Sequence, residues 1–263
     1  MMNIMMRNVI LAQAALVAPC MRRGRPRTDH TVLLEKMMLV LHTGMPWRSL
    51  NHCGIGPDFR SVHRHLMIWA RGGVFEAAYR ALFRLYRRRD RRGEYHSLDS
   101  SYVKNIFGRE CTGRNPTDRG RLATKVSALV TNRGLPVSLA FFPANVSDYK
   151  TVRQTLKRRI PGAMPSKERI PLYADKGYDS RAVRCEVWQA GYIDRISKRR
   201  VRLHRVVNRR RGVVERFFSW LDKERRLLMR FDTTIVAYAA WTWLACCKIM
   251  SKRLGQERAA SKL

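Results

Sequence analysis

Between residues 31 and 86 the apolar positions recur at helical spacing. Leu34, Met37, Met38 and Leu41 lie three or four apart and predict a helix over Thr31–Leu41, stopped by Gly44-Met-Pro46. Trp47 and Leu50 anchor a short turn, and Gly54-Ile-Gly-Pro57 breaks the chain again. Asp58 reads as the N-cap of a second helix with Val62, Leu66 and Trp69 on its apolar stripe and Arg60, His63, Arg64 and His65 elsewhere on it. Gly72-Gly73 ends it, and a third helix runs over Val74–Tyr86. Beyond Gly93 the period changes to two. Residues 95–103 alternate like a strand, and 125–131 and 135–142 form two more around the turn signal Asn132-Arg-Gly134. Ser147 caps a helix carrying Val152 and Leu156, Ile170–Asp175 is a fourth strand, Asp179–Ala190 a helix, and Tyr192–Ile196 a fifth strand. Two long helices follow, Asn208–Met229 and the very apolar Thr233–Arg253.

Three strands, helix, strand, helix, strand, helix is the order of a ribonuclease-H-like α/β domain with a mixed five-stranded sheet. The expected organisation is an apolar extension at 1–21, a small all-α, helix-turn-helix-like DNA-binding domain at 22–92 ending in the basic linker Arg87–Arg92, a catalytic domain at 93–254, and a basic tail at 255–263. The helical segment could equally be a bundle with a solvated basic face. Asn8–Cys20 is too short to span a bilayer and is flanked by Arg on both sides. It reads as part of an N-terminal helix, or as an upstream extension with Met21 the true start.

Charge changes the picture. The chain has 53 Lys and Arg against 20 Asp and Glu, a net charge of +33, which calls for a polyanionic partner, nucleic acid before an anionic membrane. Hydrophobic residues at 45%, with six Trp and nine Phe, exclude global disorder. The six cysteines show neither a C-x-x-C pair nor zinc spacing, so Cys246 and Cys247, in an apolar run, read as buried free thiols in a reducing compartment.

Against that basic background three acids stand out. Asp99 falls within the first strand, Asp175 ends the fourth, and Glu215 lies on the helix after the fifth. In the expected fold these positions converge on one edge of the sheet. Carboxylate oxygens suit magnesium, and two such ions about 4 Å apart activate an attacking oxygen and stabilise a leaving one in phosphoryl transfer. Three acids alone could still be surface groups or salt-bridge partners of nearby Arg.

The neighbouring words narrow the choice: Asp99-Ser100 with Val103-Lys104, Gly120-Arg-Leu-Ala-Thr-Lys-Val126, Asn145-Val-Ser-Asp148, Ala174-Asp-Lys-Gly-Tyr-Asp-Ser180, and Arg211-Gly-Val-Val-Glu-Arg-Phe-Phe-Ser-Trp-Leu221 followed by Arg225-Arg226. Upstream stands Thr43-Gly-Met-Pro-Trp-Arg-Ser-Leu50. Together, over residues 22–250, they resemble the DDE transposases of bacterial insertion sequences, the IS-four and IS-five types. The resemblance implies that Asp99, Asp175 and Glu215 hold two Mg2+ ions, with Mn2+ able to substitute. It implies DNA cleavage at the ends of a mobile element and strand transfer to target DNA. Arg211 would steady Glu215 or a phosphate, or be an ordinary i,i+4 pair. Lys125 and Lys176 would contact DNA or be solvated. Double-stranded DNA, as terminal inverted repeats and as target, is the implied partner, with a homodimer on DNA, no membrane, and a bacterial cytoplasmic location (nuclear in a eukaryotic or viral host).

Two positions depart from the family's third motif, in which Tyr, Arg, Glu and Lys are separated by two, three and six residues. Asn208 stands for the Tyr and Asp222 for the Lys, with Lys223 one place late. On a continuous helix seven residues return nearly to one face, whereas an eighth rotates by about 80°. A catalytically inactive DNA-binding relative and a metal-dependent nuclease without strand transfer therefore stay open. Arg23-Gly-Arg-Pro26, with Arg23 and Arg25 as DNA contacts, resembles an AT-hook core, or is a plain basic arm.

Overall fold

The computed structural model describes residues 3–17, 28–54, 56–87, 94–164, 168–198 and 205–260, the backbone alone for 205–208 and 257–260. The helices in chain order are α1 (Ile4–Val17), α2 (His30–Thr43), α3 (Phe59–Arg71), α4 (Val74–Arg87), α5 (Asp148–Lys157), α6 (Arg181–Gln189), α7 (Arg205–Leu221), α8 (Arg225–Leu228) and α9 (Ile235–Ala260). The strands are β1 (His96–Asn105), β2 (Gly113–Arg114), β3 (Leu122–Thr131), β4 (Pro136–Pro143), β5 (Ile170–Ala174), β6 (Tyr192–Ile196) and the two-residue β7 (Met229–Arg230). They fall into two compact units, residues 1–89 with 221–263, and residues 90–220. Arg23 and Arg25, and most of the basic linker, lie outside the described residues.

The first unit is helical, and α4 lies at its centre, packed by α1, α3 and α9. Val74, Phe75, Ala78, Tyr79, Leu82, Phe83 and Tyr86 are all buried, because apolar residues fill more than half of the circumference of α4. The stretch expected as an extension is part of this core: Met6, Ile10 and Ala14, four apart on α1, are buried. Asp29 caps α2 by accepting from Thr31 N at 2.7 Å, and Asp58 caps α3 by accepting from Arg60 N at 2.8 Å. Arg226 and Asp232 form a buried ion pair at 2.8 Å, and Trp241 Nε1 donates to the same carboxylate oxygen at 3.4 Å.

One expectation fails here. The helix expected over 208–229 stops at Leu221. Glu224 is buried and receives Lys248 Nζ, with His42 Nδ1 at 3.3 Å from its other oxygen, and this pull breaks the helix into the turn before α8. Helical spacing therefore does not carry from Glu215 to Asp222. Residues from 221 onward belong to the helical unit, where α9 packs on α3 and α4. Because α9 runs to Ala260, the first part of the expected tail is helix. No described helix is long and apolar enough to cross a membrane. Cys246 and Cys247 are fully buried free thiols.

The second unit is a mixed α/β unit, and all five expected strands are present. β3 is antiparallel to both β1 and β4, while β1, β5 and β6 run parallel, giving the order β4-β3-β1-β5-β6 with β2 adding a short rung to β3. This is consistent with a ribonuclease-H-like domain. Alternation along the strands sends side chains to two faces. On one, Ser97 Oγ donates to Arg210 O of α7 at 2.9 Å. On the other, Thr155 of α5 donates to Ser127 Oγ at 2.9 Å, and Ser138 Oγ donates to Thr155 O at 2.5 Å. The β3–β4 turn abuts α7 at Gly134, whose φ is +77° and where a Cβ would meet the Trp220 ring at 3.1 Å.

Gly134→Ala is expected to cost about 1–2 kcal/mol from the left-handed backbone alone, and more from the ring contact. It would show as a lower urea midpoint at unchanged m-value. Arg226→Met strands the buried Asp232 carboxylate and is expected to cost about 3–5 kcal/mol in the same measurement.

Candidate active site

The parallel register of β1 and β5 brings the first two acids together. Ser97 pairs with Tyr173, the last pair of that ladder, and Asp99 and Asp175 each stand two residues further along their strands. Both thus leave the sheet at one level, where the two strands part. Asp99 still pairs with Ala128 of β3 on its other side, which fixes its backbone. Asp175 caps the one-turn helix Lys176–Tyr178, its Oδ1 accepting from Lys176 N at 2.7 Å. The third acid comes from α7. Val213, Val214, Phe217 and Leu221 bury one side of that helix, which leaves Glu215 exposed on the other.

One cation reaches all three. The Arg211 guanidinium lies 3.9 Å from Asp99 Oδ2, 3.3 Å from Asp175 Oδ1 and 3.4 Å from Glu215 Oε1. Arg211 is therefore more than an i,i+4 partner of Glu215, since it joins a helix to two strands. Burial pushes the Asp99 carboxyl up to about 6, against the opposing pull of the Ser100 N–H and Arg211 and with help from the charges of Asp175 and Asp148. The neighbouring Arg210 docks α7 by donating to the Tyr173 hydroxyl, with its guanidinium over the Tyr95 and Tyr173 rings at 5.4 and 5.3 Å.

These residues suit a hard divalent cation in chemistry and direction. The donors are carboxylate oxygens, a cationic group already stands among them, and Asp99 is a desolvated acid short of countercharge. Among the described residues no group of three His, Cys, Asp or Glu stands at metal-binding spacing as it is. The acids converge on Arg211 rather than on one another.

Behind Asp99, on the opposite face of β1, the structure places residues to which the sequence reading gave no role in the site. Ser100 N donates to Asp99 Oδ1 at 2.8 Å, and Ser100 Oγ donates to Asp148 Oδ1 at 2.7 Å. Lys125 was expected at the DNA. It is instead 2% exposed, forms an ion pair with Asp148 Oδ1 at 2.7 Å, donates to Val146 O, and lies over the Tyr102 ring at 5.0 Å. Its charge is consumed inside the protein. Tyr178 is fully buried beside Ser100, and desolvation, with Asp99, Asp148 and Asp175 around it, pushes its hydroxyl well above the usual phenol range. Ser100, Asp148 and Tyr178 all belong to the words already singled out around the acids, which is the signal that could have found them. Lys176 is exposed next to Asp175. Arg60 and Arg64 are exposed on α3 in the helical unit, one turn apart, and Arg71 follows on the same face.

Comparison with known proteins agrees with this geometry. Residues 96–250 match the family described as "Transposase DDE domain", and residues 11–79 match one described as "Putative transposase of IS4/5 family". Over 148 residues the chain is 34% identical to "Putative transposase for insertion sequence element IS402" of Burkholderia cepacia, covering 54% of this chain and 70% of that protein. The matched domain contains Asp99, Asp175 and Glu215 together with the sheet that gathers them. The chain belongs to the DDE transposases of IS4/5 type, enzymes of DNA phosphoryl transfer.

Proposed function

We propose that the chain moves an insertion sequence by cutting DNA at the element's ends and joining the freed ends to target DNA, with Asp99, Asp175 and Glu215 as its divalent-metal ligands. The observation that carries this reading is the reach of one guanidinium to all three carboxylates. Residues 76 and 40 positions apart in the chain are delivered to one place. Two Mg2+ ions, when bound, supply the charge that activates an attacking oxygen and stabilises a leaving one.

The protein's own groups do the rest. Asp99 and Asp175 offer oxygens from rigid strand ends, and Glu215, exposed on α7, is free to turn toward them. Arg211 balances the charge of the acids. Its long side chain would be able to pair with a DNA phosphate if bound metal ions took over that balancing role. In the first step a water oxygen bonds to phosphorus as the bond to the bridging 3′ oxygen breaks, which leaves a 3′-OH and a 5′-phosphate. In the second, that 3′-OH displaces the 3′ oxygen of a target phosphodiester, so one phosphodiester is exchanged for another. The sheet unit follows the ribonuclease-H-like plan, and α3 serves as a helix-turn-helix-like DNA contact whose Arg60 and Arg64 face phosphates. The protein acts as a dimer, one copy per element end.

Wild-type protein with Mg2+ is expected to nick duplexes carrying the terminal repeats and to join the product ends to a second duplex. Asp175→Ala is expected to do neither while still binding the same duplex. Cleavage that survives Asp175→Ala would refute the site, and cleavage without joining would leave a nuclease. Replacing Arg60 and Arg64 together by Ala is expected to weaken binding to all duplexes alike and to lower the slope of log affinity against log salt by about 2.

A further inference from the structure

Lys125 and Asp148 are a charged pair that the reaction described above does not use. Lys125 extends from β3 on the face of the sheet away from α7, and its side chain is 2% exposed. Removing that charge from water is costly unless it is well paired, and the chain supplies three partners: the Asp148 carboxylate, the Val146 carbonyl and the Tyr102 ring. Asp148 is the first residue of α5, where a negative charge is also favoured by the helix dipole. One of its oxygens, Oδ1, takes both Lys125 and the Ser100 hydroxyl. The other, Oδ2, lies toward the Lys176–Tyr178 turn, where a Cβ on Gly177 would stand 3.8 Å from it. The Tyr178 hydroxyl is buried beside Ser100. The pair thus touches both segments that carry strand acids: Asp99-Ser100 on β1, and Asp175 with its turn on β5.

We propose that the Lys125–Asp148 pair is a positioning device for the acidic site, with Ser100 as the link that transmits it to Asp99. Adjacent residues of a strand point to opposite faces, so a residue fixed on one face fixes its neighbour on the other. Ser100 is tied at its hydroxyl to Asp148 and at its N–H to Asp99, which links a carboxylate anchored by a buried lysine to the carboxylate of the site. The proposal rests on the metal-ligand reading of Asp99 and Asp175. Outer groups that orient ligands change metal affinity by about 10–100-fold when removed.

Isothermal titration of the full chain with Mn2+ alone, without DNA, tests it beside thermal melting. Ser100→Ala leaves the ion pair intact and is expected to bind Mn2+ about tenfold more weakly at unchanged melting temperature. Ser100→Thr, which keeps the hydroxyl, is expected to restore binding. In a background that removes the pair without stranding a charge, Lys125→Met with Asp148→Ala, adding Ser100→Ala is expected to cost no further affinity. Unchanged Mn2+ affinity in Ser100→Ala, or a full additional loss in the triple variant, would overturn the proposal. Should the background variant not fold, Ser100→Ala and Ser100→Thr decide alone. Asp175→Ala run in parallel separates the two readings. If it too binds Mn2+ normally, the metal site itself is wrong, whereas its loss beside a normal Ser100→Ala condemns only the positioning role.

Discussion

Carboxylates gathered in a partly dry site repel one another, and the site described here exists because Arg211 opposes that repulsion. Its guanidinium has several donors in a fixed plane, which lets one side chain address acids arriving from a helix and two strands. A lysine at this position would present a single point of charge. The compensation is incomplete, since burial still raises Asp99. An electrostatic deficit of that kind is what a divalent ion would relieve.

The sheet turns that requirement into geometry. Asp99 and Ser100 are neighbours, yet alternation sends one toward α7 and the other toward α5. A slip of one residue in the β1–β3 pairing would exchange them and empty the site. That register is held over nine pairs from His96 to Lys104. It is also held by hydrogen bonds on both faces, Ser97 to the α7 backbone and Ser127 to Thr155 of α5. α7 is placed in turn by the close approach of Trp220 to Gly134, where any side chain would intrude. Glu215 therefore depends on a glycine far from it in sequence.

The strands were legible because their period of two is local, and the signal Asn132-Arg-Gly134 fixed one hairpin. The acids were legible because they sit in distinctive words. The break after Leu221 was not, since residues 208–229 carry no strong helix stop. It arises because Glu224 is drawn inward by Lys248 and by His42, residues remote in the chain. The same holds for Lys125. A lysine in a chain of net charge +33 reads as a DNA contact, and only the carboxylate of Asp148 shows that its charge is balanced inside the protein. The apolar stretch before residue 21 was ambiguous for a related reason, because a helix that packs and a stretch left outside the fold can have the same composition.

By itself the sequence determined the type and order of most elements, the three acids and the family they resemble, because these depend on period, turn chemistry and short words. Tertiary structure decided which charges meet. It placed Arg211 among the acids, withdrew Lys125 to Asp148, and joined α9 to the N-terminal helices. Coulomb interactions and burial depend on distances through space, and in this chain the partners are separated by tens to hundreds of residues.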